Sequence, residues 1–144
     1  MQWGYPPSSR RVWAPVPHNL SPSATIRPVT TVLIVDDHAG FRGTARALLE
    51  SEGFEVVGEA ADGAAALEAV ASLRPEVILL DVYLPDVNGF EIAARLSSNG
   101  PAPAIVMISS RDASDFGPLV AESGARGFIP KAELSGTTLS ALLE

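Results

Sequence analysis

From residue 30 onward the chain alternates short, strongly apolar runs with longer segments of helical period, and this alternation most restricts its fold. Thr31–Asp36 (TVLIVD), Glu55–Ala60, Val77–Asp81 (VILLD), Ala104–Ser109 (AIVMIS) and Gly127–Ile129 have strand length. The first, third and fourth are apolar and β-branched, as strands covered on both faces must be. Between them Phe41, Ala45, Leu48 and Leu49 fall at i, i+4, i+7 and i+8, and Ile92, Ala93 and Leu96, then Leu139, Leu142 and Leu143, repeat that stripe. Strands alternating with amphipathic helices predict βαβ units, a parallel sheet and right-handed crossovers. Gly53, Gly100 and Gly124 stand where three helices would end, Pro75 closes a fourth, and Asn88 precedes Glu91 with the spacing of a capping box. The expected fold class is α/β: a doubly wound, five-stranded parallel sheet flanked by five helices, within residues 30–144.

Residues 1–29 have a different character. They hold six of the 12 prolines and both tryptophans, Trp3 and Trp13, without helix or strand period, and read as a disordered Pro-rich arm. Pro15, Pro17 and Pro22 interrupt every stretch that could serve as a secretory signal, so export is not expected. The arm is basic through Arg10, Arg11 and Arg27, which suits either a dispensable tail or a short docking arm. The remainder carries seven basic against 17 acidic residues, a poor surface for nucleic acid and a better one for a cation. No apolar run approaches the roughly 18 residues of a membrane span. With no cysteine, disulfides, thiolate metal sites and cysteine nucleophiles are excluded, and a cytoplasmic location fits.

In an open parallel sheet, ligands bind beyond the carboxyl ends of the strands, near the point where strand order reverses. The first strand ends in Asp36 and Asp37, the third in Asp81, the fourth in Ser109 and Ser110, and the fifth runs through Pro130 into Lys131, the only lysine. Three converging carboxylates repel one another unless a cation neutralises them, and a hard divalent ion such as Mg²⁺ does so with oxygen ligands. A hydroxyl and an ammonium beside a carboxylate can bind phosphoryl oxygens, so that the carboxylate can attack phosphorus.

These residues, in this order, resemble the receiver domain of two-component response regulators. The resemblance rests on the acidic pair in VLIVDDH, Asp81 in VILLDVYLPDVNG, Ser109 in IVMISS and Lys131 in GARGFIPK, and covers about residues 30–144. The DDH opening and the GARGF segment are most similar to receivers of helix-turn-helix regulators, although here the chain ends at Glu144 without an output domain. The resemblance implies a flavodoxin-like (βα)5 fold with strand order 2-1-3-4-5. It implies Asp81 as phosphoacceptor, Asp36 and Asp37 as Mg²⁺ ligands directly or through water, and the Tyr83 backbone carbonyl as a further ligand. Ser109 and Lys131 would bind phosphoryl oxygens, Phe128 would be the aromatic switch residue, and Tyr83 and Arg111 would border the path of the hydrolytic water.

A histidine kinase or phosphotransfer protein would supply the phosphoryl group. A downstream protein or a second copy would meet a face including Phe116, Leu119 and Val120 where these are exposed, with no direct nucleic-acid or membrane binding and no enzymatic activity beyond self-phosphorylation and autodephosphorylation. Two departures stand out: Ala132 follows Lys131 where many receivers have proline, and Phe128 stands where tyrosine is common. A haloacid-dehalogenase-like phosphatase would need a second acid two residues after the nucleophile, where this chain has Tyr83, and its nucleophile would follow the first strand. A phosphorylation-independent binding module has no use for the full set Asp36, Asp37, Asp81, Ser109 and Lys131. His18 and His38 are not expected to be ligands, the latter sitting in a first helical turn without a partner.

Overall fold

Successive residues of the apolar runs face opposite sides of one sheet, one side covered by two helices and the other by three. The computed structural model describes residues 29–98 and 100–144, so all but the last residue of the expected arm, His18 included, lies outside the described residues. The elements are β1 (Thr31–Val35), α1 (Ala39–Ser51), β2 (Glu55–Ala60), α2 (Gly63–Leu73), β3 (Val77–Asp81), α3 (Gly89–Ser97), β4 (Ala104–Ser109), α4 (Leu119–Glu122), β5 (Gly127–Pro130) and α5 (Gly136–Leu143). The strands are all parallel, in the order β2-β1-β3-β4-β5.

Leu33, Val35, Ile78, Leu80 and Met107 pack with Ala66 of α2 and Ile92 and Ala93 of α3. Their neighbours Val32, Ile34, Leu79, Val106 and Ile108 pack on the other side with Ala45 and Leu49 of α1 and Leu139 of α5. Fully burying each such Val, Leu, Ile or Met side chain stabilises by roughly 1.5–3 kcal/mol before conformational entropy is counted. That two-sided burial explains why β1, β3 and β4 are apolar without alternation.

Several boundaries differ from the sequence expectation. β1 stops at Val35, and Asp36 leaves the ladder while its N–H still donates to Ala60 O at 3.0 Å. β5 continues to Pro130, whose place at a sheet edge leaves its missing N–H without consequence. The fourth helix is a single turn preceded by a 3-10 turn at Ala113–Asp115, because Gly117 takes φ 58° and Pro118 follows it. Asn88 does cap α3, but its side chain accepts from Phe90 N–H at 2.7 Å and makes no capping box with Glu91. Gly53, Gly100 and Gly124 adopt the positive φ expected of helix-terminating glycines.

Candidate functional site

Strand order reverses between β1 and β3, since β2 lies on one side of β1 and β3 on the other. The crevice over their carboxyl ends is therefore where ligand chemistry belongs, and Asp36 and Asp81 stand at those two ends. Asp36 is fully buried and Asp81 is 4% exposed, while Asp37 is exposed to solvent. Lys131, immediately after β5, places its Nζ 2.6 Å from Asp36 Oδ2 and 3.3 Å from Asp81 Oδ2. One ammonium thus offsets two buried carboxylates.

The backbone fixes these oxygens. Asp36 Oδ1 accepts from His38 N–H at 2.8 Å, and Asp81 Oδ1 accepts from Tyr83 N–H at 3.3 Å. Asp36 Oδ2 has charge compensation from Lys131 but no donor directed along a lone pair. Burial pushes the Asp81 carboxyl above its ordinary pKa, the Asp36 charge pushes it further, and Lys131 opposes both. Burial alone would lower the Lys131 pKa, yet pairing with Asp36 and Asp81 outweighs it and holds the ammonium above its ordinary value.

The donor set fits a hard divalent cation. Oxygens of Asp36, Asp37 and Asp81 and a ring nitrogen of His38 all lie within 4.8 Å of one another, and one buried carboxylate oxygen lacks a directed donor. His38 therefore departs from expectation. It occupies the cap position before α1, with extended backbone, and its Nδ1 lies 3.3 Å from Asp36 Oδ1 and 3.2 Å from Asp37 Oδ1.

Ser109 ends β4 beside this cluster, buried, with its Oγ accepting from Arg111 N–H at 3.1 Å. The Arg111 guanidinium lies 5.7 Å from the Tyr83 ring centroid, so the two side chains meet, and Tyr83 is 52% exposed. Phe128 lies within β5, half-buried against Phe116 with ring centroids 5.5 Å apart. The structure thus brings Asp36, Asp37, Asp81 and Lys131 together, seats Ser109 on the adjoining strand end, and sets Phe128 back from them. Of the residues named for the partner face, Phe116 is buried, packed in a cluster with Tyr83, Phe90 and Phe128, so it drops out of that face while Leu119 stays exposed. The single-turn α4 lets the preceding segment fold inward over β4 and β5.

Two site-supporting residues escaped the sequence reading. Asp86, in the loop after β3, accepts from Gly63 N–H at 2.8 Å and Ala64 N–H at 3.0 Å, tying that loop to the start of α2; these bonds hold its carboxyl below the ordinary range. Gly89 abuts the backbone of Asp81: a Cβ there would stand 2.1 Å from the Asp81 carbonyl oxygen. Its only sequence signal is a glycine at the expected start of a helix, where several residue types serve equally. Because the obstacle is backbone, Gly89→Ala is expected to cost about 1–3 kcal/mol of stability and to displace Asp81. Urea denaturation checks the first effect and the Asp81 amide shift the second.

Residues 32–143 match the response regulator receiver domain family. The chain belongs to this family. This receiver is 38% identical over 105 residues to a putative transcriptional regulator of Pseudomonas aeruginosa, covering 73% of the chain and 51% of that protein. It is also 38% identical over 102 residues to the virulence factors putative positive transcription regulator BvgA of Bordetella pertussis, covering 71% of the chain and 49% of BvgA. It spans about half the length of these curated relatives. The signal receiver domain of the putative response regulator NarL from Mycobacterium tuberculosis superposes with a TM-score of 0.70 at 35% identity, covering 81% of this chain and 98% of that one. The flavodoxin-like arrangement and the strand order implied by the resemblance are those observed. Two-component signal transduction is thus the setting of this fold, and receivers in general are not enzymes acting on a separate substrate. Among the described residues, no helix is long and apolar enough to cross a membrane.

Proposed function

We propose that this receiver accepts a phosphoryl group on Asp81 from a histidine kinase or phosphotransfer protein. The observation that carries this reading is Lys131 Nζ lying between the buried carboxylates of Asp36 and Asp81 at the switch point of the sheet. A carboxylate oxygen of Asp81 attacks phosphorus, an O–P bond forms, and the bond from phosphorus to the donor breaks, its electron pair leaving with the donor. Asp36, Asp37, Asp81 and the Tyr83 carbonyl would hold Mg²⁺, which supplies counter-charge for the phosphoryl oxygens. Lys131 then turns from its carboxylate pair toward one of those oxygens, and the Ser109 hydroxyl donates to another. Phe128 moves with Ser109 against Phe116, altering the face made by α4, β5 and α5, where Leu119 is 45% exposed. That face meets a downstream protein or a second copy. The folded unit is residues 30–144, and the location is cytoplasmic.

Tyr83 and Arg111, stacked on each other, cover the approach of water to the phosphorylated Asp81. Incubation with a small acyl phosphate such as acetyl phosphate is expected to label the protein only while Mg²⁺ is present. After removal of the donor, decay in the Tyr83→Ala, Arg111→Ala double variant is expected to be about tenfold faster, a barrier difference of about 1.4 kcal/mol. Labelling that survives chelation removes the metal-dependent phosphoacceptor reading, and an unchanged decay rate removes the shield.

A further inference from the structure

Asp36 is held by its backbone on two sides, and both attachments lead to β2. Its N–H donates to Ala60 O at 3.0 Å. Its carbonyl oxygen accepts from Arg42 Nη1 at 2.7 Å, and the same guanidinium donates through Nε to Glu59 Oε1 at 3.0 Å. Glu59 is fixed in turn by Arg46, whose Nε donates to its other oxygen at 2.7 Å. The hydrogen bond from Arg46, with Arg42 adding a second, holds the Glu59 carboxyl below its ordinary range, so it stays charged at neutral pH. Arg42 itself is largely covered, its side chain 18% exposed.

We infer that Arg42 is a positioning residue for the acidic pair: a planar fork, locked by Glu59, that grips the Asp36 carbonyl and sets where the Asp36 and Asp37 carboxylates stand. The inference rests on the phosphoacceptor reading. A guanidinium suits the task because it directs donors at two acceptors at once, whereas one ammonium serves the two only with strain. Asp36 and Asp37 open the turn between β1 and α1, where the ladder has ended. Without Arg42, the Asp36 backbone would keep only its N–H bond to Ala60 O, and the side chain its bond from His38 N–H and its ion pair with Lys131.

The sign of one substitution separates positioning from simple charge. Removing a cation beside a divalent-ion site favours the ion electrostatically, so a charge role for Arg42 makes Mg²⁺ bind more tightly to Arg42→Ala. Positioning gives the opposite result: Mg²⁺ affinity, read from the Asp36–His38 amide shifts on titration, falls by about fivefold to tenfold, and the initial labelling rate at fixed Mg²⁺ falls with it. Arg42→Lys, which keeps the charge and loses the fork, is expected to fall between wild type and alanine and guards against a variant that does not fold. Glu59→Gln added to Arg42→Ala is expected to weaken binding little further, since both act through one clamp. Arg42→Ala binding Mg²⁺ as tightly as wild type, or more tightly, overturns the inference while a labelled, Mg²⁺-binding wild type leaves the phosphoacceptor reading standing. A wild type that neither binds Mg²⁺ nor takes label overturns both.

Discussion

Replacing Lys131 by alanine is expected to destabilise the receiver by about 2–3 kcal/mol in chelator, below the roughly 3–5 kcal/mol of breaking a fully buried ion pair because the Lys131 side chain is 17% exposed. Among the described residues the ammonium is the one cation within 4 Å of both Asp36 and Asp81, of which one is fully buried and the other nearly so. Without it two carboxylates are left facing each other in a site of low polarity, and one must take up a proton. Saturating Mg²⁺ should restore part of the loss, because an ion that binds only the folded chain stabilises it. Urea denaturation with and without Mg²⁺ measures both quantities. Equal stability of Lys131→Ala and wild type in chelator would show that the ammonium does not compensate the pair.

Asp81→Asn is expected to act in the opposite direction on stability while lowering labelling by more than about 100-fold, equivalent to about 2.7 kcal/mol or more of barrier. Burial and the neighbouring Asp36 raise the Asp81 pKa above the ordinary 3.8, so the folded chain holds that proton more firmly than the unfolded one. Stability therefore falls as pH rises from about the ordinary value through the raised one, and the carboxylate is a net cost at neutral pH. The asparagine removes that cost. In the absence of Mg²⁺ the variant should melt above wild type at pH 7, and the difference should shrink as acid protonates Asp81 in wild type. A variant that melts below wild type at pH 7 would mean that the Lys131 pair outweighs burial.

What the sequence disclosed was whatever depends on local pattern. Strand length, two-sided apolarity and helical stripes placed five strands and five helices, and acids at strand ends marked Asp36, Asp37 and Asp81 before any geometry was known. Lys131 was legible as a lone lysine after a strand, but not as the partner of Asp36, because that contact joins residues at opposite ends of the domain. The grip of Arg42 on Asp36 and Glu59 was hidden for the same reason: an arginine on an amphipathic helix usually faces solvent, and nothing local says which carboxylate it meets. Whether Phe116 is exposed stays open in the sequence, because its surroundings have the composition of an exposed helix. Gly117 and Pro118 cut that helix to one turn and let the ring pack inward among Tyr83, Phe90 and Phe128. The sequence pattern suits His38 to a first turn of helix, whereas its extended backbone puts the ring beside both acids.

The most direct test is to locate the phosphoryl group. Wild-type protein incubated with acetyl phosphate and Mg²⁺ and then reduced with borohydride should contain homoserine in place of aspartate at position 81 and at no other aspartate, and the conversion should vanish when Mg²⁺ is chelated. Homoserine at Asp36, Asp37 or Asp86 instead, or none at position 81, would contradict the assignment of Asp81 as the phosphoacceptor.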